Sequence, residues 1–417
     1  MFFTHIKFKK MSSSVDFARR MDSSKGDFMK FQLLTILLIS YGCMVPMQDF
    51  KEGTEAYELA NPAYLGELRT LEKTRINVAV VDTGVDYNHP NIEPYLGKNT
   101  TNEGMGLDIL GKDFFPHLSV INPEDLKPVE FPEDYLSHGT HVAGIALEGP
   151  YLEKVTENPY LLSTETFRLI PIRAIPLGIT PDEQATLEGK TDSQQMKIKM
   201  ALTVTKFVDV LSKSIDFAGQ ENAQVVNMSI GLQMKAFKKD LFTQFKKLFK
   251  QEVAPRFEKL ENTFFTIAAG NEAADVDKVK IYPAYHSGKN TITVGSLKDD
   301  QTISYFSNFG QKVDIYALGS DVNSYIEKGK TKKMSGTSMA APLVANLAAS
   351  MKAVAKCLTP ERIKNLILKT SVTRTLKIEI PKEKNPLIHT DPKVKERKVK
   401  ILRYHVAMKE ALKACPN

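Results

Sequence analysis

Four short runs of nearly continuous apolar, β-branched residues set the strongest limit on how this 417-residue chain folds. They span 76–81 (INVAVV), 225–229 (VVNMS), 264–269 (FFTIAA) and 291–294 (TITV). Only the last, Thr-Ile-Thr-Val, alternates; the other three do not show the apolar–polar pattern of a strand with one wet face. Strands of this kind are covered on both sides, as in a parallel sheet whose crossover helices pack above and below it. A helical stretch from about Met196 to Ala218 precedes the second run. Thr359-Pro360-Glu361 carries the N-cap, first-turn proline and acidic residue that open another helix. Strands and helices therefore alternate, and the expected class is α/β with right-handed crossovers.

Composition removes other classes. Apolar residues make up 42% of the chain and the net charge is only +7, so an intrinsically disordered chain is ruled out. Three Cys cannot build a disulfide scaffold. No stretch reaches the ~20 apolar residues of a bilayer crossing. The charge is uneven, with nine Lys/Arg against four Asp/Glu between Lys377 and Arg403. That segment holds Pro381, Pro386 and Pro392 and almost no aromatics, so it reads as a solvated, loop-rich surface, and no nucleic-acid partner is expected. A further segment places Phe237, Leu241, Phe242, Phe245, Leu248 and Phe249 at helical spacing, opposite Lys238, Lys239, Lys246, Lys247 and Lys250. Either a surface helix with a solvated lysine face or a helix lying on a membrane has this pattern.

The N-terminal region reads as an address. Met29-Lys30 leads into FQLLTILLI (31–39), followed by Ser40-Tyr41-Gly42-Cys43. A charged start, a short apolar run and small residues make a secretory signal. Its end resembles a bacterial lipobox, with Ser40 where Leu is usual. Lipid anchoring at Cys43 and plain signal cleavage both fit. The expected organisation is an N-terminal extension with a signal in 1–43, a linker in 44–71 and a folded domain in 72–417. The mature protein is expected outside the cytoplasm, either lipid-anchored at the cell envelope or secreted, touching a membrane only through a lipid at Cys43 in the anchored case. There, Cys357 and Cys415 are candidates for a disulfide.

Three segments carry chemistry. Val80-Val81-Asp82-Thr83-Gly84 puts a carboxylate at the C-terminal end of a buried strand, where sites in open α/β sheets assemble. Asp-Thr-Gly is equally a turn signal. His138-Gly139-Thr140-His141 places His138 at the opening of an apolar helix with small neighbours. His141 reads most simply as a packed helix residue. A zinc motif needs its histidines at i, i+4 with an adjoining Glu, and neither condition holds. Ser335-Gly336-Thr337-Ser338-Met339-Ala340-Ala341-Pro342 opens a helix on small residues. The Ser338 hydroxyl there lies over unpaired N–H groups and the positive helix end, and an N-cap role is the alternative.

Taken in order, Asp82, His138 and Ser338 follow the chain order of the subtilisin triad. The segments VAVVDTGVD, HGTHVAGI, VVNMSIG, TIAAGN and SGTSMAAP resemble those of the subtilisin-like serine peptidases, the subtilases, from about Ile76 to Ala349. The resemblance implies a three-layer α/β/α fold with a mostly parallel central sheet. It implies a serine endopeptidase acting on protein or peptide substrates. Ser338 would be the nucleophile, His138 the general base and acid, and Asp82 the residue orienting the imidazole. Asn271 would donate to the oxyanion. Ser229, Ile230, Gly231 and Gly270 would bind substrate as an added strand. Glu272 and Ile281 fall where the family lines its primary pocket, and they would admit large apolar or basic residues. No cofactor or metal is expected, since the family's strong calcium site has Asp where Asn91 stands. A monomer is expected.

The chain departs from the family at Leu318, where Pro is usual, and at Leu343-Val344-Ala345-Asn346, where His-Val-Ala-Gly is common. Residues 178–193 read as an inserted surface loop. A catalytically silent peptide-binding lipoprotein on the same scaffold is the rival reading. A lipase or esterase is disfavoured because Gly-x-Ser-x-Gly is absent around Ser338.

Overall fold

The computed structural model describes residues 73–97, 106–108, 134–149, 166–175, 181–234, 239–298, 302–378 and 396–415. The signal, Cys43 and the linker read in residues 1–71 lie outside these, as do Phe237, Lys238, Pro381, Pro386 and Pro392. Fourteen strands are described: β1 Ile76–Asp82, β2 Leu107–Asp108, β3 Phe167–Arg173, β4 Val225–Met228, β5 Leu232–Gln233, β6 Phe264–Ala268, β7 Ile281–Tyr282, β8 Thr291–Leu297, β9 Thr302–Ile303, β10 Ile315–Leu318, β11 Val322–Ile326, β12 Lys330–Met334, β13 Val372–Ile378 and β14 Glu396–Ile401. The α-helices are α1 Asp134–Glu148, α2 Pro181–Ala185, α3 Asp192–Gln220, α4 Lys239–Leu248, α5 Ala254–Lys259, α6 Val276–Val279, α7 Thr337–Val354, α8 Pro360–Thr370 and α9 Tyr404–Leu412.

Seven strands run parallel in the order β2-β3-β1-β4-β6-β8-β10. Register divides their side chains into two faces. Ala79, Val226 and Phe265 lie side by side and pack with Val204, Phe207, Leu211, Phe245 and Phe257 of α3, α4 and α5. Val80, Asn227 and Thr266, one step along, point to the opposite face. Helices α1 and α7 cover that face, α7 against β4, β6 and β8 and α1 against β1 and β3. The architecture is three-layer α/β/α with a mostly parallel sheet, as expected from uninterrupted apolar strands.

Several local expectations are met. Thr359 accepts the Arg362 N–H at 3.3 Å and caps α8. In α4, Phe245 is buried and Leu241, Phe242 and Leu248 pack on the core, while Lys239, Lys246, Lys247 and Lys250 are exposed along this stretch. The apolar side is spent inside the protein, so the surface-helix reading holds. Cys357 and Cys415 are joined as a disulfide with Cα atoms 5.8 Å apart, linking the start of α8 to the residues after α9.

Two expectations are corrected. The described part of 178–193 is helix α2, a turn and the first residues of α3, not a loop. Leu187 buries its side chain there, and a Thr191/Gln194 capping box starts α3. The basic segment around 377–403 is not loop-rich at its ends. Leu376, Ile378, Val399 and Ile401 face inward from the antiparallel pair β13–β14. β14 pairs with β10, and β13 with β9, which returns to β8, closing a small ring of strands.

Asn346 explains one departure from the family pattern. Its Nδ2 donates to the carbonyls of Ala146 and Leu147 at 3.0 Å each, capping the end of α1, and its Oδ1 accepts from Tyr404 Oη. Gly149 makes room, because a methyl there would lie 2.2 Å from Asn346 Oδ1. Asn346→Ala strands these buried groups and is expected to lower unfolding free energy by about 2–4 kcal/mol. A urea titration showing a loss under about 0.5 kcal/mol would rule out this bracing role.

Candidate active site

Asp82 ends β1 on the face covered by α1 and α7, and it is fully buried. Its Oδ1 accepts the Thr83 N–H at 2.7 Å and lies 2.7 Å from Nδ1 of His138. Oδ2 is buried with no partner among the described residues. His138 sits in the second turn of α1 rather than at its opening, and keeps 23% of its side chain exposed. Burial favours its neutral ring, but the charge and hydrogen bond of Asp82 outweigh this and raise its pKa above the ordinary value.

The contact depends on close backbone approach. Gly139 N–H donates to Thr83 Oγ1 at 2.9 Å, and a methyl on Gly139 would lie 1.9 Å from the Gly84 carbonyl oxygen. Gly84 turns away from the strand with φ of 96°. Only a glycine lets α1 press on this turn and deliver His138 to Asp82.

Ser338 lies in the first turn of α7, and its side chain does not cap the helix. Gly336 is the N-cap residue, and Asn271 serves as cap from outside. Asn271 Oδ1 accepts from Thr337 N at 2.8 Å and from Thr337 Oγ1 at 3.0 Å. Thr337 Oγ1 in turn accepts the Gly270 N–H at 3.0 Å. This clasp joins the end of β6 to α7 and fixes the amide so that Nδ2 faces the turn, 3.5 Å from where a Gly336 methyl would stand. Gly270, with φ of 97°, cannot carry a side chain, since a methyl would lie 2.4 Å from Asn308 Nδ2.

Pro342 has no N–H to give to the carbonyl four residues back, that of Ser338. Ser229 Oγ fills the vacancy at 3.1 Å. Behind it runs a buried chain, with Thr266 Oγ1 donating to Asn227 Oδ1 at 3.0 Å and Asn227 Nδ2 to Ser229 Oγ at 2.9 Å. The Ser229 hydroxyl thus holds the Ser338 turn. Ile230 buries its side chain in the α3 core, leaving the exposed Gly231 main chain at the rim. Ile281 is buried beneath, 3.4 Å from where a Gly231 methyl would stand, and the Glu272 carboxylate is taken up by Asn308 Nδ2. Among the described residues, no three His, Cys, Asp or Glu side chains gather to hold a metal.

The model of the subtilase family (Peptidase_S8) matches residues 73–397. The chain belongs to the subtilase family. It is 30% identical over 272 residues to the thermophilic serine proteinase of Bacillus sp. (strain AK1), covering 65% of this chain and 51% of that protein. To halolysin of Haloferax mediterranei it is 26% identical, covering 73% and 46%. The chain thus spans about half the length of these two relatives. The major intracellular serine protease of Bacillus subtilis is 24% identical, over 83% of this chain and 90% of that protein. Among solved structures, the subtilase cytotoxin SubAB assembly aligns with a TM-score of 0.51 at 19% identity, over 84% and 93% of the two chains. MycP1 without its N-terminal propeptide aligns with a TM-score of 0.51 at 18% identity, over 82% and 95%.

Sequence reasoning did not foresee several contacts that position this subtilase site: Thr83 with the Gly139 amide, Thr337 with Asn271 and Gly270, and the chain Thr266–Asn227 that ends on Ser229, a residue expected only to bind substrate. One signal for the chain was present. Asn227 and Thr266 are the polar interruptions of two apolar runs, and they fall in register.

His141, one turn on from His138, is buried, and its Nε2 lies 2.9 Å from the Lys332 carbonyl. Burial foremost pushes its pKa down to about 4; the Lys332 hydrogen bond opposes this, and the neighbouring His138 adds to it. The unfolded chain takes up this proton near the ordinary value. Stability from neutral His141 is therefore full above about pH 6.5 and drains away as pH falls toward 4, by roughly 3 kcal/mol. The gap in unfolding free energy between wild type and His141→Gln is expected to narrow over that window. A gap constant in urea titrations from pH 7 to 4 would contradict it.

Proposed function

We propose that this subtilase is a serine endopeptidase that cleaves protein or peptide substrates through an acyl-enzyme on Ser338. The observation that carries the reading is the buried Asp82–His138 pair, 2.7 Å apart, at the sheet edge where Ser338 opens α7. His138 takes the proton from Ser338 Oγ as it attacks the scissile carbonyl, then returns it to the departing amine. Asp82 accepts from Nδ1 and so keeps Nε2 free to act as the base, and it stabilises the imidazolium between the two transfers. The Ser338 amide and Asn271 Nδ2 donate to the oxyanion, Asn271 being held by its own Oδ1 on Thr337. The acyl part of the substrate lies along Ser229, Ile230, Gly231 and Gly270 as an added strand.

The domain scheme, with a signal and Cys43 in 1–43, a linker in 44–71 and the peptidase domain in 72–417, belongs to the same proposal. So does a monomer acting outside the cytoplasm. The Cys357–Cys415 disulfide supports an oxidising compartment.

A fluorophosphonate is expected to label wild type at Ser338 and to inhibit casein cleavage. Ser338→Ala is expected to lose label and about 10⁶ in turnover, the scale reported for subtilisin's own nucleophile. Folded wild type that takes no label would point to the silent peptide-binding alternative instead.

His138 acts only when neutral, and Asp82 raises its pKa. The acid limb of kcat/KM is therefore expected above the ordinary imidazole value of about 6.5. In Asp82→Asn, residual activity should show that limb moved to lower pH. A limb that stays put in the variant would refute the assignment of Asp82.

A further inference from the structure

The β11–β12 hairpin runs directly into the Ser338 turn, and its charge is lopsided. Residues 322–334 hold four lysines, Lys328, Lys330, Lys332 and Lys333, against one acid, Glu327. Glu327 already accepts a hydrogen bond from Ser137 Oγ. Lys330 to Lys333 are all exposed along β12, as is Lys328 at the turn, where Lys328 and Gly329 both take positive φ.

The hairpin is also anchored. Asp86 Oδ2 accepts the Lys328 N–H at 2.8 Å, and His141 Nε2 lies 2.9 Å from the Lys332 carbonyl. Ser324 Oγ donates to the His141 carbonyl at 2.7 Å. Its lysines therefore project from a strand fixed to the helix that carries His138, which lowers the entropic cost of using them. Through Ser335 and Gly336 that strand leads to Ser338, and Gly336 N–H donates to the Gly319 carbonyl at 2.7 Å.

We propose that this hairpin is a basic subsite for acidic residues on the leaving side of the scissile bond. The inference rests on Ser338 being the nucleophile and deepens that reading. The acyl side of the substrate occupies the Ser229–Gly231 rim. The departing amine takes its proton from His138 on α1, so the chain beyond the cut leaves on the α1 side. There it meets β12, whose Lys330 and Lys333 face solvent and can pair with carboxylates a few residues past the cut.

The test uses two internally quenched peptides built on a cleavage site mapped in casein. They are identical up to the scissile bond and carry either Glu or Lys at the third and fourth residues after it. Wild type is expected to favour the Glu peptide by about tenfold in kcat/KM at low ionic strength, mainly through KM. Salt should compress the ratio. In Lys330→Gln/Lys333→Gln the ratio should approach one, and in Lys330→Glu/Lys333→Glu it should invert. Because each ratio is taken within one enzyme preparation, a difference in folded fraction cancels. A wild-type ratio of one, or a preference that survives both variants, would overturn the subsite and leave the peptidase reading standing. Folded protein that cleaves neither casein nor peptides would overturn both.

Discussion

A carboxylate with no solvent around it is expensive, and Asp82 is such a group. Its Oδ1 takes two hydrogen bonds and its Oδ2 takes none among the described residues. Stability alone gives little reason to bury a charge with half its acceptor capacity unused. The arrangement gains its value when the neighbouring ring becomes a cation, because attraction between opposite charges strengthens as water is removed. Much of the surrounding structure can be read as holding that ring in place. Gly139 admits the helix, Thr83 ties it, and Asn346 braces its far end against α7. A small shift of α1 would leave the buried carboxylate without its main partner.

The first turn of α7 shows a second constraint. Proline at position 342 breaks the helix's internal bonding at Ser338, and a helix start already leaves N–H groups unpaired. The fold does not repair these defects from within the helix. It supplies Ser229 Oγ to the orphaned carbonyl and Asn271 Oδ1 to the Thr337 amide. Both donors of support come from the ends of central strands, β4 and β6, so the position of Ser338 is set by the sheet. The same repair fixes the orientation of Asn271, because the oxygen that caps the helix determines where its nitrogen points. The amide of Ser338 lies beside it in the same helix start, where N–H groups have no partner within the helix.

These supports explain what was legible in the sequence. The central strands could be read because burial on both faces leaves few polar positions, and Asn227 and Thr266 are two of them. Asp82, His138, Asn271 and Ser338 stood out because chemistry demands particular side chains in short runs. Thr337 and Gly139 were less visible, since their roles exist only between segments far apart in the chain. The Lys377–Arg403 segment misled for a different reason. Its charge and prolines suggested a loop, yet Leu376/Ile378 and Val399/Ile401 alternate with polar residues, which is the signature of a strand with one wet face. At 178–193, the Thr191/Gln194 capping box opens the helix read from Met196, but its first turn is polar (Asp192 to Gln195), so the apolar periodicity begins only after the cap.

The two histidines of α1 show how finely burial divides like from like. His138 and His141 lie one helical turn apart, burial disfavours the charged form of both rings, and yet their proton affinities move in opposite directions. The difference is what faces each ring. His138 has a carboxylate at 2.7 Å, whereas for His141 burial outweighs the Lys332 and Val322 carbonyls and the more distant charge of Asp82, and the neighbouring His138 adds to the burial. Protonation of His138 would therefore add to the cost of protonating His141, and the hairpin carried by His141 would feel both. Acid thus works against this edge of the molecule twice, removing the free base at His138 and loading a proton onto a buried ring that has no anion to meet it. Neutral to alkaline conditions relieve both at once, so the pH that leaves His138 neutral is also the pH at which its helix and hairpin are most firmly held.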